Sequence, residues 1–213
     1  MDSLRRLEEI FAHFPGIGPR QARRFVYYLL NKPASSVKEF TDLVLEVRKS
    51  TNECVRCHRF FISNDSNKSL SGKSSNSALC SICADQNRDD SILMVVARDS
   101  DFETVEKSGA YRGFYFILGG TVPILDKEPE KRIRLKGLLE RLAEKGSPVK
   151  EVILSLNATP DGEHTAELVK ESIQKALGGK LIKISVLGRG LSTGAELEYV
   201  DSDTIKSALQ NRH

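Results

Sequence analysis

The chain has 213 residues, 39% hydrophobic and 29% charged, with sparse aromatics and no tryptophan, the composition of a globular protein with room for one large or two modest domains. No apolar run is long enough to cross a bilayer as a helix, which excludes a helical membrane protein. The formal net charge of +3 arises wholly in residues 1–50, where nine Lys/Arg face six Asp/Glu, because 51–90 balance at five each and 91–213 at eighteen each. A polyanionic partner is to be sought in that first segment. The opening Met1-Asp2-Ser3-Leu4-Arg5-Arg6 is charged rather than apolar and predicts no signal peptide, hence a cytoplasmic protein.

Leu4, Leu7, Ile10 and Phe11 fall at helical spacing, and a second helix is predicted over Arg20 to Leu30. Between them lies Phe14-Pro15-Gly16-Ile17-Gly18-Pro19, in which the glycines permit a tight connection and Pro19 suits a first helical turn. Phe40, Leu43, Val44 and Val47 predict one more helix, completing a helical domain over 1–50.

Residues 51–90 hold all the cysteine in the chain, as Cys54-Val55-Arg56-Cys57 and Cys80-Ser81-Ile82-Cys83. Two C-x-x-C pairs let four sulfurs converge on one tetrahedral ion, and four thiolates leave no open position for a catalytic water, so the pattern predicts one structural zinc. Two disulfides are the competing reading; they need an oxidising compartment, and four cysteines allow three pairings. His58 is adjacent, but the sulfur set is already complete. Between the pairs, residues 63–77 hold seven serines and three asparagines and almost nothing to bury, which predicts a mobile insertion.

After Asp90, short apolar runs alternate with amphipathic segments, at 92–96, 102–108, 114–118, 133–143, 152–156, 163–177 and 181–187. That alternation predicts an α/β domain over 91–187, with Glu151 to Leu156 a central parallel strand covered on both faces. A C-terminal segment, 188–213, is expected to serve oligomerisation. Its glycine-rich run Gly188-Arg189-Gly190-Leu191-Ser192-Thr193-Gly194 lacks the lysine of a phosphate loop and reads as a turn beside a subunit contact.

Pro15 to Ala22 resembles the hairpin of helix-hairpin-helix motifs, which hold the DNA backbone without reading bases. Gly16 and Gly18 allow backbone N–H groups close to a phosphate, the next helix presents its positive end, and Arg20, Arg23 and Arg24 follow. Arg20 and Arg24, four apart, share a face, whereas Arg23 is free to pack or pair elsewhere. The plainer reading is a helix corner with solvated arginines. Farther on, Asn157-Ala158-Thr159-Pro160-Asp161-Gly162-Glu163 follows a strand and resembles the acidic loop of Toprim domains. Asn157 and Thr159 stand where magnesium-binding aspartates belong, and Ala97 where a glutamate belongs, so magnesium chemistry is not expected. Asp161 and Glu163 remain for helix capping and partner contact.

Taken in order, the hairpin, the four cysteines and the acid-poor Toprim-like part resemble the RecR family of bacterial recombination mediators. Gly109-Ala110-Tyr111-Arg112-Gly113, Leu118-Gly119-Gly120, Leu138-Leu139-Glu140-Arg141-Leu142, Gly162-Glu163-His164-Thr165, Arg189-Gly190-Leu191 and Glu196-Leu197-Glu198-Tyr199 extend the likeness along the chain. The resemblance implies a non-enzymatic, nucleoid-associated DNA-repair protein. It would assemble as a ring-like homotetramer on DNA and act with RecO and RecF to help RecA replace single-strand-binding protein at gaps. It also implies DNA contact through Arg20 and Arg24, and RecO contact near Glu163, Asp161 and Asn157. The family's loop between cysteine pairs is usually much shorter, and Ala97-Arg98 and Ala158 depart from its common residues. Two other readings predict different behaviour. A Toprim nuclease or primase-like enzyme would relocate its metal to Asp99, Asp101, Asp161 and Glu163. A zinc-stapled module that binds only protein would ignore DNA.

Overall fold

Asp2 starts the first helix, its carboxylate accepting from Leu4 N–H at 3.2 Å, and α1 runs Ser3–Ala12. The computed structural model describes residues 2–62, 79–126, 128–178, 181–188, 190–192 and 194–210. The insertion expected over 63–77, and Arg189 and Thr193 of the glycine-rich run, lie outside the described residues. The chain divides into two units, residues 1–51 and 52–213.

In the first unit Gly16 takes the left-handed region, φ +75°, and turns the chain so that Gly18 and Pro19 open α2 (Pro19–Leu30). Phe11 packs edge-on to Phe14 at 5.5 Å and lies 5.7 Å from Phe25 between ring centres, closing α1 onto α2. Ala22 and Val26, four apart, are buried, while α3 (Ala34–Ser50) buries no residue.

The second unit begins with a hairpin, β1 (Thr51–Glu53) and β2 (Phe60–Ile62), and a single turn of helix, α4 (Ser81–Ala84). Four parallel strands follow: β3 (Asp89–Val96), β4 (Gly113–Ile117), β5 (Glu151–Ser155) and β6 (Lys183–Val186), in the order β4-β3-β5-β6. Their connections carry α5 (Asp99–Ser108), α6 (Pro129–Arg132), α7 (Leu135–Ala143) and α8 (Pro160–Ala176). A short 3-10 turn, Leu197–Tyr199, and α9 (Ser202–Gln210) end the chain, with Asp201 accepting from the Asp203 and Thr204 amides at 3.0 and 2.9 Å.

Period-two alternation sorts β3 between two cores. Leu93 and Val95 join Val152, Leu154, Leu138, Leu142, Val169 and Ile173 on the face covered by α7 and α8. Met94 and Val96 join Tyr115, Ile117 and Phe102 under α5. The expectation that β5 is covered on both faces holds on one side only. Val152 and Leu154 are buried, whereas Ile153 is half-buried, because α5 packs over β3 and β4 and does not reach fully across β5.

The chain leaves β3 toward β4 on one side and β5 toward β6 on the other, so the sheet reverses its winding between β3 and β5, where Val96 lies beside Ser155. Gly162 lets α8 close tightly on this crevice, since a Cβ there would overlap the Asn157 carbonyl and lie 3.2 Å from Thr159 Oγ1. Alanine ordinarily gains about 1 kcal/mol over glycine within a helix. Gly162→Ala is nonetheless expected to destabilise the fold by about 1–3 kcal/mol through overpacking, read as a lower urea midpoint at unchanged slope.

Candidate functional site

The four cysteine side chains are all buried, and their sulfurs lie within 4.8 Å of one another. Two local devices bring them there. In the first pair, Cys54 N–H donates to Arg59 C=O at 2.8 Å and His58 N–H to Cys54 C=O at 2.9 Å, folding the loop of the β1–β2 hairpin back on itself. His58 closes that loop in the left-handed region, φ +63°, a costly conformation for a residue with a Cβ. In the second pair, Cys80 precedes α4, and Cys83, three residues on, returns to the same side of the turn.

Cys57 and Cys80 sulfurs stand 3.6 Å apart, and the Cys80 amide donates to Cys54 Sγ at 3.4 Å. A tetrahedral centre with metal–sulfur bonds of about 2.3 Å has sulfur–sulfur edges of about 3.8 Å, so the donor set fits one. Hydrogen bonding from Cys57, Cys80 and Cys83 draws the Cys54 thiol far below its usual range. The same group holds Cys83 far above it, through Cys54, Cys57 and Cys80. All four are free thiols, as metal binding requires and disulfide pairing does not. His58 turns away from the sulfurs: its Nδ1 lies 2.8 Å from Glu53 Oε1, and its ring stands edge-on to Phe116 at 5.1 Å.

The knuckle is docked on β4, one of the two outer strands of the parallel sheet. Ile117 N–H donates to Cys57 C=O at 2.9 Å, and Phe60 N–H donates to Asp99 Oδ1 at 3.0 Å. The Arg56 and Arg59 guanidinium groups lie over the Phe114 and Phe102 rings at 5.1 and 4.8 Å. Arg141 on α7 donates from Nη1 to Arg56 C=O at 2.9 Å and to Tyr115 C=O at 2.7 Å.

At the crevice between β3 and β5, Ala97 is fully buried, Asn157 and Thr159 are exposed, and none of the three carries a charge. The acids nearby are engaged with backbone amides. Asp99 holds the Phe60 amide, Asp101 holds the Arg98 amide at 3.0 Å, and Asp161 holds the Ile124 amide at 3.3 Å. Capping of α8 falls to Thr159, whose hydroxyl accepts from Gly162 N–H at 3.2 Å, and not to Asp161 as expected. Asp161 sits one residue inside the helix, where its carboxylate reaches the 119–126 loop instead. Buried Thr165 ties down the same loop, accepting from Val122 N–H at 2.8 Å and donating to Asp161 C=O at 2.5 Å. Glu163 is exposed on the outer side of the first turn. Among the described residues, the cysteines form the one group of three or more such ligands within reach of a common ion, so Asp99, Asp101, Asp161 and Glu163 do not converge on a relocated metal.

In the first unit, Arg20 and Arg24 are exposed on one face of α2, with Arg24 Nη1 3.4 Å from Gln21 Oε1. Arg23 pairs with Glu8 at 3.3 Å, the separate role its position allowed. No side chain caps the start of α2, and a Cβ at Gly16 or Gly18 would meet nothing within 4 Å. The hairpin thus offers open backbone at a positive helix end.

A Toprim domain family model matches residues 91–188, and a model of the RecR C-terminal region matches residues 190–213. Recombination protein RecR of Cereibacter sphaeroides is 36% identical over 209 residues, covering 98% of this chain and 95% of its own. The belonging is decided by that full-length match. The chain belongs to the RecR family. RecR of Lactobacillus helveticus is 34% identical over 206 residues, 97% of this chain and 94% of its own, and RecR of Bifidobacterium adolescentis 35% over 211 residues, 99% and 95%.

The roles of Arg141 and His58 in this RecR-family chain do not follow from spacing along the sequence. Arg141 was legible only as a charged residue three places after Leu138 on the buried side of α7. The left-handed turn at His58 had no sequence signal, since glycine or asparagine is the usual occupant. Cys80→Ser removes one sulfur and one hydrogen-bonding edge of the cluster. Elemental analysis of the purified variant is expected to show loss of stoichiometric metal, with folding stability lowered on the order of several kcal/mol.

Proposed function

We propose that the protein is a non-catalytic DNA-repair and recombination mediator whose glycine-entered helix, α2, grips the phosphate backbone through Arg20 and Arg24, with Gly16 and Gly18 supplying close-approaching amides. The observation that carries this reading is the uncapped, unobstructed start of α2 beside two exposed arginines on one face. Backbone amides and guanidinium groups bind phosphate without regard to base, so binding is sequence-independent and salt-sensitive. The full-length relationship to recombination proteins supports the same role.

The remaining assignments accompany it. The domain division is 1–50 for DNA, 51–90 for the metal knuckle, 91–187 for the Toprim-like part and 188–213 for assembly. The metal is one Zn2+, held by Cys54, Cys57, Cys80 and Cys83. Sulfur donors select a borderline-soft ion over magnesium or calcium, and a closed four-sulfur shell gives it a structural task. The chain assembles as a ring-like homotetramer. Phe40, Leu43, Val44, Leu45 and Val47 of α3 are each about half exposed, from 49% to 57%, more apolar surface than a lone helical unit needs. Leu197 and Tyr199 are likewise exposed at the other end of the chain. Exposed Asn157 and Glu163, with Asp161, form the surface for RecO, and the assembly acts with RecO and RecF in the cytoplasm to help load RecA at single-stranded gaps. Uncharged Ala97, Asn157 and Thr159 favour partner contact over magnesium chemistry in the crevice.

Retention of gapped circular DNA across a salt series, with magnesium present, tests the reading. The native chain is expected to hold uncleaved DNA. Replacing Arg20 and Arg24 together with alanine is expected to weaken retention and lower the salt slope by about two, while Arg23→Ala, which breaks a pair with Glu8, has the smaller effect. Nicked DNA would restore the Toprim-enzyme reading, and a native chain that retains no DNA at any salt would leave the protein-binding module.

A further inference from the structure

Arg141 carries a charge that the fold has buried, 8% exposed beneath the knuckle. A guanidinium withdrawn from water needs opposite charge nearby, because its desolvation costs several kcal/mol. The two carbonyls that it bridges, those of Arg56 and Tyr115, are dipoles and satisfy hydrogen bonds without neutralising charge. Among the described residues no carboxylate stands within ion-pair distance of it. The Arg56 carbonyl that it holds lies inside the first cysteine loop, between Cys54 and Cys57, which brings the guanidinium to the sulfur cluster.

Charge counting on the other side of the contact gives the complementary deficit. Four thiolates around a divalent ion leave two net negative charges in a buried centre. Such a centre is held best where a cation is fixed beside it. Arg56, next to Cys57, has its guanidinium engaged over the Phe114 ring, whereas Arg141 reaches the knuckle from within the core and is fixed there by its two carbonyls.

We propose that Arg141 is the counter-cation of the four-sulfur metal centre, a positioning residue that neutralises the centre's charge while fastening the first cysteine loop to the edge of the sheet. This rests on the metal reading above. The ion, the loop and β4 are then one electrostatic unit: when the metal departs the four thiolates take up protons, and the negative charge that makes a buried arginine tolerable at that place is lost with them.

The full-length protein, purified with its metal, tests this by metal content per chain and by the rate of release to a colorimetric chelator in native buffer. Arg141→Gln keeps hydrogen-bond donors and loses the charge, while Arg141→Lys keeps the charge and loses the planar fork. Arg141→Gln is expected to weaken metal retention by about ten- to a hundredfold, and Arg141→Lys to release close to the native rate. Release from Arg141→Gln at the native rate, with only a lower melting temperature, would overturn the proposal and leave a hydrogen-bonding pin. Release from Arg141→Lys as fast as from Arg141→Gln would overturn it too. Should Arg141→Gln lack native circular dichroism, Arg141→Lys decides: near-native release supports the counter-cation, and fast release from a folded variant overturns it. A native chain without bound metal overturns the metal reading itself, and the inference with it.

Discussion

Strand β4 is one of the two outer strands of a parallel sheet, and an outer strand exposes a row of backbone donors and acceptors that water or another chain will claim. In this protein the metal knuckle claims part of that row. Cys57 C=O receives the Ile117 amide, and Arg141 spans the Tyr115 and Arg56 carbonyls. The sulfur cluster and the sheet are thereby mutually dependent. The hairpin loop can place Cys54 and Cys57 only if it turns sharply at His58, and the turned loop presents its carbonyls to β4. An arginine on the apolar side of α7, which looks misplaced in that helix alone, completes the junction.

The crevice between β3 and β5 separates architecture from chemistry. Its topology is that of a ligand-binding reversal point, and α8 still points its positive end toward it. Its side chains are put to other uses. Ala97 is part of the core, Thr159 is consumed by the helix cap, and Asp161 is diverted to the neighbouring loop. A hard cation would find oxygen ligands of the wrong charge in the wrong directions, whereas a partner protein would find a firm surface, because Thr165 and Asp161 tie the 119–126 loop to the helix beneath it.

Features that depend on spacing along the chain were legible before any fold was drawn. Two C-x-x-C pairs announce convergence, short apolar runs alternating with amphipathic segments announce the parallel strands, and glycines before Pro19 announce the hairpin. Features that depend on which neighbour arrives from elsewhere were not. β5 is as apolar as a strand covered on both faces, yet Ile153 is only half-buried, because coverage is set by how far α5 extends. Asp161 reads as a capping residue until the 119–126 loop arrives beside it and its carboxylate takes the Ile124 amide. Arg141 reads as one more helical charge until the knuckle, whose Arg56 lies 85 residues earlier in sequence, closes over it.

The sparse interior of the first unit carries a different kind of consequence. Among its described residues Ala22 and Val26 alone are buried hydrophobics, while α3 turns an apolar face outward. In a self-associating chain such a unit borrows its interior from its neighbours, so its folded fraction follows mass action rather than temperature alone. Dilution of such a chain would act on residues 1–51 as a denaturant, and whatever the exposed face of α2 holds would depend on local protein concentration.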